Sequence, residues 1–265
     1  MNARWLAWSS LPVGLGAAVW LTADASPLVR MLAVVLATFV AMKLVVLAVA
    51  RRDGVRVPAA NVGWFVAWFG MQPRQFVRRR SGRGPERRWL RVGLANVLLG
   101  GAVMVAAIGF GGRARPLLLL VGCSMAFHFG VLTLLAAWFR ARAFAVPLLF
   151  DAPWRAATAA EFWGRRWNRG FTEMTALVVQ RPLAPRLGGR GALLASFVWS
   201  GLLHDVALSL PVRAGFGLPT LYFVLQGLFV RWQGERRSRV ATLAAVVVPA
   251  PLLFHPWFLA GVLGA

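Results

Sequence analysis

One cysteine, Cys123, stands among 265 residues. A single thiol excludes an internal disulfide framework and a zinc site built from several cysteines. Acidic residues are scarce: eight Asp and Glu face thirty Lys and Arg, for a formal charge of +22. All the basic residues except Lys43 are arginine. No phosphate loop, HExxH or GxSxG pattern occurs, so the chemistries those motifs carry have no support here. No internal repeat is visible, which argues against a transporter built from paired broken helices.

Apolar residues are what the chain has in quantity. They make up 59% of it, the mean hydropathy is +0.65, and there are thirteen tryptophans and eighteen phenylalanines. A soluble domain cannot hide that much apolar surface, whereas a polytopic membrane protein exposes it to lipid. The composition therefore predicts an all-α integral membrane protein, a single membrane-embedded domain over 1–265. Spans are expected near 5–23, 27–50, 91–112, 116–138, 191–210, 217–233 and 240–262, from the roughly 20 apolar residues a crossing helix requires. The first stretch lacks the basic start and cleavage site of a signal peptide and reads as a retained span.

The arginines orient these spans. Segment 51–91 holds eleven, 139–190 holds nine and 231–239 holds four, while the alternate connections hold only Arg113, Arg115 and Arg213. A cytoplasmic N-terminus puts every rich segment inside, as the positive-inside rule requires. Anionic headgroups thus account for the charge better than nucleic acid does. The cytoplasmic segments run over about 51–90 and 139–190. The arginine- and alanine-rich composition suggests a bacterial inner membrane.

Both segments carry more than a loop needs. VPAANVGWFVAWFGMQPRQF (57–76) has an aromatic stretch too short to span, which lies in the interface or re-enters. The basic run RRRSGRGPERR (78–88) suits headgroups or the phosphates of an anionic cofactor. EFWGRRWNRGF (161–171) sets Trp163 and Trp167 on one helical face, beside Arg165, Arg166 and Asn168, just outside the membrane. An ordinary interfacial helix would read the same way.

SFVWSGLLHDVALSL (196–210) buries a histidine and an aspartate in a span. His204 lies one turn beyond Ser200 and Gly201, whose small size leaves room for a substrate or a neighbouring helix. It stands roughly 20 Å from the start of its span at 1.5 Å per residue. Such a residue is either a neutral general base facing a cavity or a structural histidine between helices. Asp205 points elsewhere and could pair with Arg30 or Lys43, or cap a neighbouring helix. His128 could line the same cavity, His255 reads as structural near the outer interface, and Cys123 has no evident base.

FWGRRWN (162–168), followed about thirty residues later by SFVWSGLLHD (196–205), resembles the wax-synthase branch of the membrane-bound O-acyltransferase family. WFVAWFGMQPRQF (64–76) is similar to a segment of its bacterial members. The resemblance implies acyl transfer from acyl-CoA, the donor substrate, to a hydroxyl acceptor such as a long-chain alcohol, with no permanently bound cofactor and no metal. It makes His204 the catalytic histidine and Asn168 the second functional position. Trp163 and Trp167 would wall the cavity mouth; from charge alone Arg165 and Arg166 are candidates for CoA phosphates, and from their place in the spans Ser200, Gly201 and His128 are candidates for substrate contact. Acylation of a sugar or secondary-metabolite hydroxyl, and a non-enzymatic transporter or assembly role, remain the alternatives.

Overall fold

The computed structural model describes residues 3–79 and 86–264. It is helical throughout, with no strand among the described residues. Residues 80–85 of the basic run lie outside them. Helix α1 (Ala3–Leu21) packs along α2 (Pro27–Arg52). The hydroxyl of Ser26 caps α2, and Pro27 occupies the first turn, where its missing N–H costs nothing.

The 57–76 segment folds into α3 (Ala59–Ala67) and a 3₁₀ turn, Pro73–Phe76. Nine residues reach about 13 Å, so α3 cannot cross a bilayer. It is drawn inward instead. The ammonium of Lys43, buried in α2, donates to the carbonyls of Phe65, Trp68 and Gly70 at 2.8, 2.5 and 2.6 Å. Its three donors match three acceptors, which meets the requirement for burying a charge. Lys43 stands nine residues from the end of α2, so the segment enters the bundle by about 13 Å.

Helix α4 (Arg87–Ala107) pairs with a long helix made of α5 (Ala114–Ser124), a π-helical stretch (Met125–Val131) and α6 (Leu132–Ala141). Their backbones nearly touch at Gly100, where a Cβ would fall 2.5 Å from the amide nitrogen of Ala126.

After the short α7 (Ala159–Glu161), helical structure resumes at α8 (Arg169–Thr175). It continues through a π turn, Ala176–Gln180, into α9 (Arg181–His204), a second π turn, Asp205–Ser209, and α10 (Leu210–Val212). A straight helix would hold Phe171 and His204 about 50 Å apart. Their rings are 5.4 Å apart. The chain reverses at Gly188, whose φ of 67° and ψ of 167° break the helix midway between them. Residues 169–188 of the segment expected at the cytoplasmic surface therefore return into the bundle as one arm of a helical hairpin.

Helix α11 (Leu218–Gln233) packs against α9, followed by α12 (Arg239–Val247), α13 (Ala250–Leu253) and α14 (Pro256–Leu263). Helices occupy all seven expected stretches. Among the described residues, four helical stretches are long and apolar enough to cross a membrane, and the pair α12–α13 with α14, bent by 68°, makes a fifth. Helix α11, with 16 residues, reaches only about 24 Å, and the apolar part of α1 is shorter than a full span as well.

Candidate active site

The hairpin and α11 enclose a cavity of about 180 Å³. His204, Asn168, Trp163, Trp167 and Ser200 all line it. These residues come from sequence segments more than thirty positions apart, and the reversal at Gly188 brings them to one level.

His204 is held by two phenylalanine rings and one hydrogen bond. Phe223 of α11 lies 4.3 Å from its ring and Phe171 of α8 lies 5.4 Å away on centroids. Nδ1 stands 2.7 Å from the carbonyl oxygen of Ser200. A carbonyl only accepts, so Nδ1 carries the proton and Nε2 keeps its lone pair. No protein group among the described residues bonds Nε2.

Asn168 is held by its backbone. It occupies the left-handed region, φ 44° and ψ 62°, as the N-cap of α8. Its Oδ1 accepts from the amide of Phe171 at 3.2 Å. Asparagine tolerates this conformation better than most residues and is a strong cap. The cap uses the side-chain oxygen and leaves the Nδ2 amide hydrogens for the cavity.

The FWGRRWN segment sits deeper than expected. Phe162–Arg166 is a π turn and Trp167 is extended, so Trp163 and Trp167 reach the cavity from different directions rather than from one helical face. Trp163 donates to Oε1 of Gln226 at 3.2 Å and packs on Phe197 and Phe223. Trp167 packs on Phe150 and Phe129. Phe129 lies well inside the Ala114–Ala141 helix, so this segment re-enters the bundle and is not a surface helix.

Other expected residues are employed elsewhere. Arg166 pairs with Glu161 at 2.7 Å and donates to the carbonyl of Asp151, tying the re-entrant segment together. Arg165 is exposed and does not line the cavity. Gly201 faces α11, where a Cβ would meet the Cα of Thr220 at 2.6 Å, so its small size serves helix packing. His128 bonds Ser124 at 3.0 Å and stacks on Phe150 at 4.5 Å, behind Trp167 rather than in the cavity.

Asp205 is the capping aspartate. It accepts from the amides of Gly217 at 2.8 Å and Thr220 at 3.1 Å, and from the hydroxyls of Thr220 and Ser209. It thereby fixes the start of α11, and with it Phe223 against His204. Arg30 instead donates to carbonyls of Thr22, Ala23, Ala25 and Pro211, with no carboxylate partner among the described residues.

Glu161, outside the spanning helices, has its carboxyl held below the usual carboxylate range. The amide of Ala157 at 2.8 Å is the largest cause, followed by the hydrogen bond from Arg166. The residues least legible in sequence are Phe171, Phe223, Thr172 and Thr175. They reach the cavity only because the chain folds back, which no local pattern announces.

Residues 146–225, the stretch that carries this cavity, match the model of the membrane bound O-acyl transferase family. The chain is 31% identical over 134 residues to the probable long-chain-alcohol O-fatty-acyltransferase 9 of Arabidopsis thaliana, covering 42% of this chain and 39% of that protein. It is 33% identical over 88 residues to the long-chain-alcohol O-fatty-acyltransferase of Simmondsia chinensis, covering 30% and 25%. It is 29% identical over 130 residues to the acyl-CoA–sterol O-acyltransferase 1 of Arabidopsis thaliana, covering 41% and 38%. The chain thus spans under two fifths of the length of these relatives. On this match and the site it covers, residues 146–225 resemble the membrane-bound O-acyltransferase family, and the relatives that match are named for acyl transfer to long-chain alcohols and sterols.

Proposed function

We propose that the protein transfers a fatty acyl group from acyl-CoA to the hydroxyl of a long-chain alcohol or related lipid. The supporting observation is the pairing of His204 and Asn168 across one cavity, with Nδ1 of the histidine anchored and Nε2 left basic. Nε2 takes the proton of the acceptor hydroxyl as its oxygen attacks the thioester carbonyl. Asn168 Nδ2 donates to the oxygen on which negative charge develops. The intermediate collapses, the carbon–sulfur bond breaks, and the CoA thiolate takes the proton back from His204. Ester and CoA thiol leave, and no covalent enzyme intermediate or bound cofactor takes part.

The cavity runs from His204 toward Ser196, about 12 Å along α9 and toward the arginine-rich end. That end faces the cytoplasm in this reading, in a bacterial inner membrane with the N-terminus inside, and supplies acyl-CoA. The lipid acceptor comes from the bilayer. A sterol-like acceptor is the second reading, favoured by the similarity to the sterol acyltransferase.

The test is to supply purified protein with radiolabelled palmitoyl-CoA together with hexadecanol, a sterol or a sugar, and to resolve the products. Labelled wax ester from wild type and none from His204→Ala is expected. Label found only on the sugar would overturn the lipid acceptor, and ester formation by the mutant at the wild-type rate would overturn the base.

A further inference from the structure

The arginine-rich end carries a feature that the acyl-transfer cavity does not use. Arg79, Arg142, Trp64 and Trp138 meet where α3, the end of α6 and the start of the basic run come together, and none of them lines the cavity. The guanidinium of Arg79 lies 5.9 Å from the ring of Trp64 and 5.2 Å from that of Phe144. That of Arg142 lies 5.6 Å from Trp64 and 5.0 Å from Trp138. Two cations thus share one indole and stand within about 12 Å of each other.

The shelf beneath them is built. Trp64 packs on Trp138 at 5.3 Å, on Phe144 at 5.5 Å and on Phe139 at 5.9 Å, joining α3, α6 and the turn after it. Among the described residues neither guanidinium has a carboxylate partner; the ion pairs there are Arg140–Glu86 and Arg166–Glu161. Residues 80–85 contribute no acid to the sequence. A guanidinium stacked by its face keeps its N–H edges free, and those edges match a phosphate bidentately. The site is on the bundle perimeter, since Trp138 is 42% exposed and Val66 on α3 is 39% exposed. Lipid surrounds such a position.

The geometry points to a binding site for the phosphate of an anionic phospholipid, formed by Arg79 and Arg142 on the Trp64–Trp138 shelf. The lipid comes from the leaflet at the arginine-rich end. Its phosphate sets one negative charge between two like charges that have no carboxylate partner among the described residues, and its acyl chains lie along the exposed faces of α3 and α6.

The full chain, reconstituted in nanodiscs of phosphatidylcholine with a minority of phosphatidylglycerol and then released into detergent, is analysed for co-purifying lipid by native mass spectrometry. Wild type is expected to retain phosphatidylglycerol roughly tenfold above its share. The R79Q/R142Q pair should retain it near its share, and R236Q/R237Q, with the same charge loss elsewhere, should behave as wild type. Equal loss in both pairs, or retention by R79Q/R142Q, overturns the site. If R79Q/R142Q does not accumulate, R79K/R142K decides: weakened retention supports the stacked guanidinium pair and full retention overturns it. Adenosine 3′,5′-bisphosphate in excess should leave the lipid bound; displacement would make the occupant a nucleotide phosphate and overturn the lipid.

Discussion

Asn168 has two duties that different substitutions separate. Glycine accepts its left-handed backbone and costs a cap only a few tenths of a kcal/mol. Asn168→Gly should therefore melt within a few degrees of wild type yet lose about 10²- to 10³-fold in kcat, the usual cost of one oxyanion donor. Alanine adds about 1 kcal/mol of backbone strain at the same φ, so Asn168→Ala should melt lower than the glycine variant with no better turnover. Steady-state kinetics beside thermal unfolding checks both. His204→Ala should lower kcat by about 10²- to 10⁴-fold while leaving membrane insertion intact, since the ring lines a cavity and the apolar spans that insert are unchanged. His204 and Asn168 were legible because their flanking motifs are distinctive. His128 was misplaced because an intramembrane histidine reads alike whether it faces substrate or stacks behind a tryptophan.

At the scale of elements, Asp205 ties two helices together through four acceptor contacts. Asp205→Ala strands the amides of Gly217 and Thr220 and should destabilise the fold by about 2–3 kcal/mol. It should also raise KM, since α11 carries Phe223; hydrogen exchange at residues 217–220 would show the loosened start. Glu161 makes the re-entrant segment acid-sensitive. Its folded carboxyl titrates below the unfolded one, so its contribution is present above about pH 4.5 and is lost as pH falls through the lower folded value. Limited proteolysis across residues 151–166 should accelerate in that acidic window for wild type, and Glu161→Gln should be equally susceptible at all pH values. Spans were legible because apolar length is a local property. Sequence leaves 57–76 either interfacial or re-entrant and places 162–168 outside the membrane, because the carbonyl cradle around Lys43 and the ring contacts of Trp167 form only in three dimensions.

For the whole molecule, charge asymmetry sets a testable orientation. In a Cys123→Ser background, Gly111→Cys should react with an impermeant maleimide from outside intact cells and Glu235→Cys should not. Both positions are exposed, so a silent Gly111→Cys would reverse the topology. The fold class and the basic end followed from composition. The meeting of two distant motifs in one cavity depended on a single glycine whose backbone angles no composition reveals. Gly188 also makes the spacing between the two reacting groups a matter of register. Each arm of the hairpin acts as a ruler marked in steps of 1.5 Å and 100°. One residue inserted between Gly188 and His204 would turn the imidazole away from the amide while every helix stayed intact. Length variation in related chains should accordingly cluster beyond the two arms, or occur at the tip in matched increments on both sides.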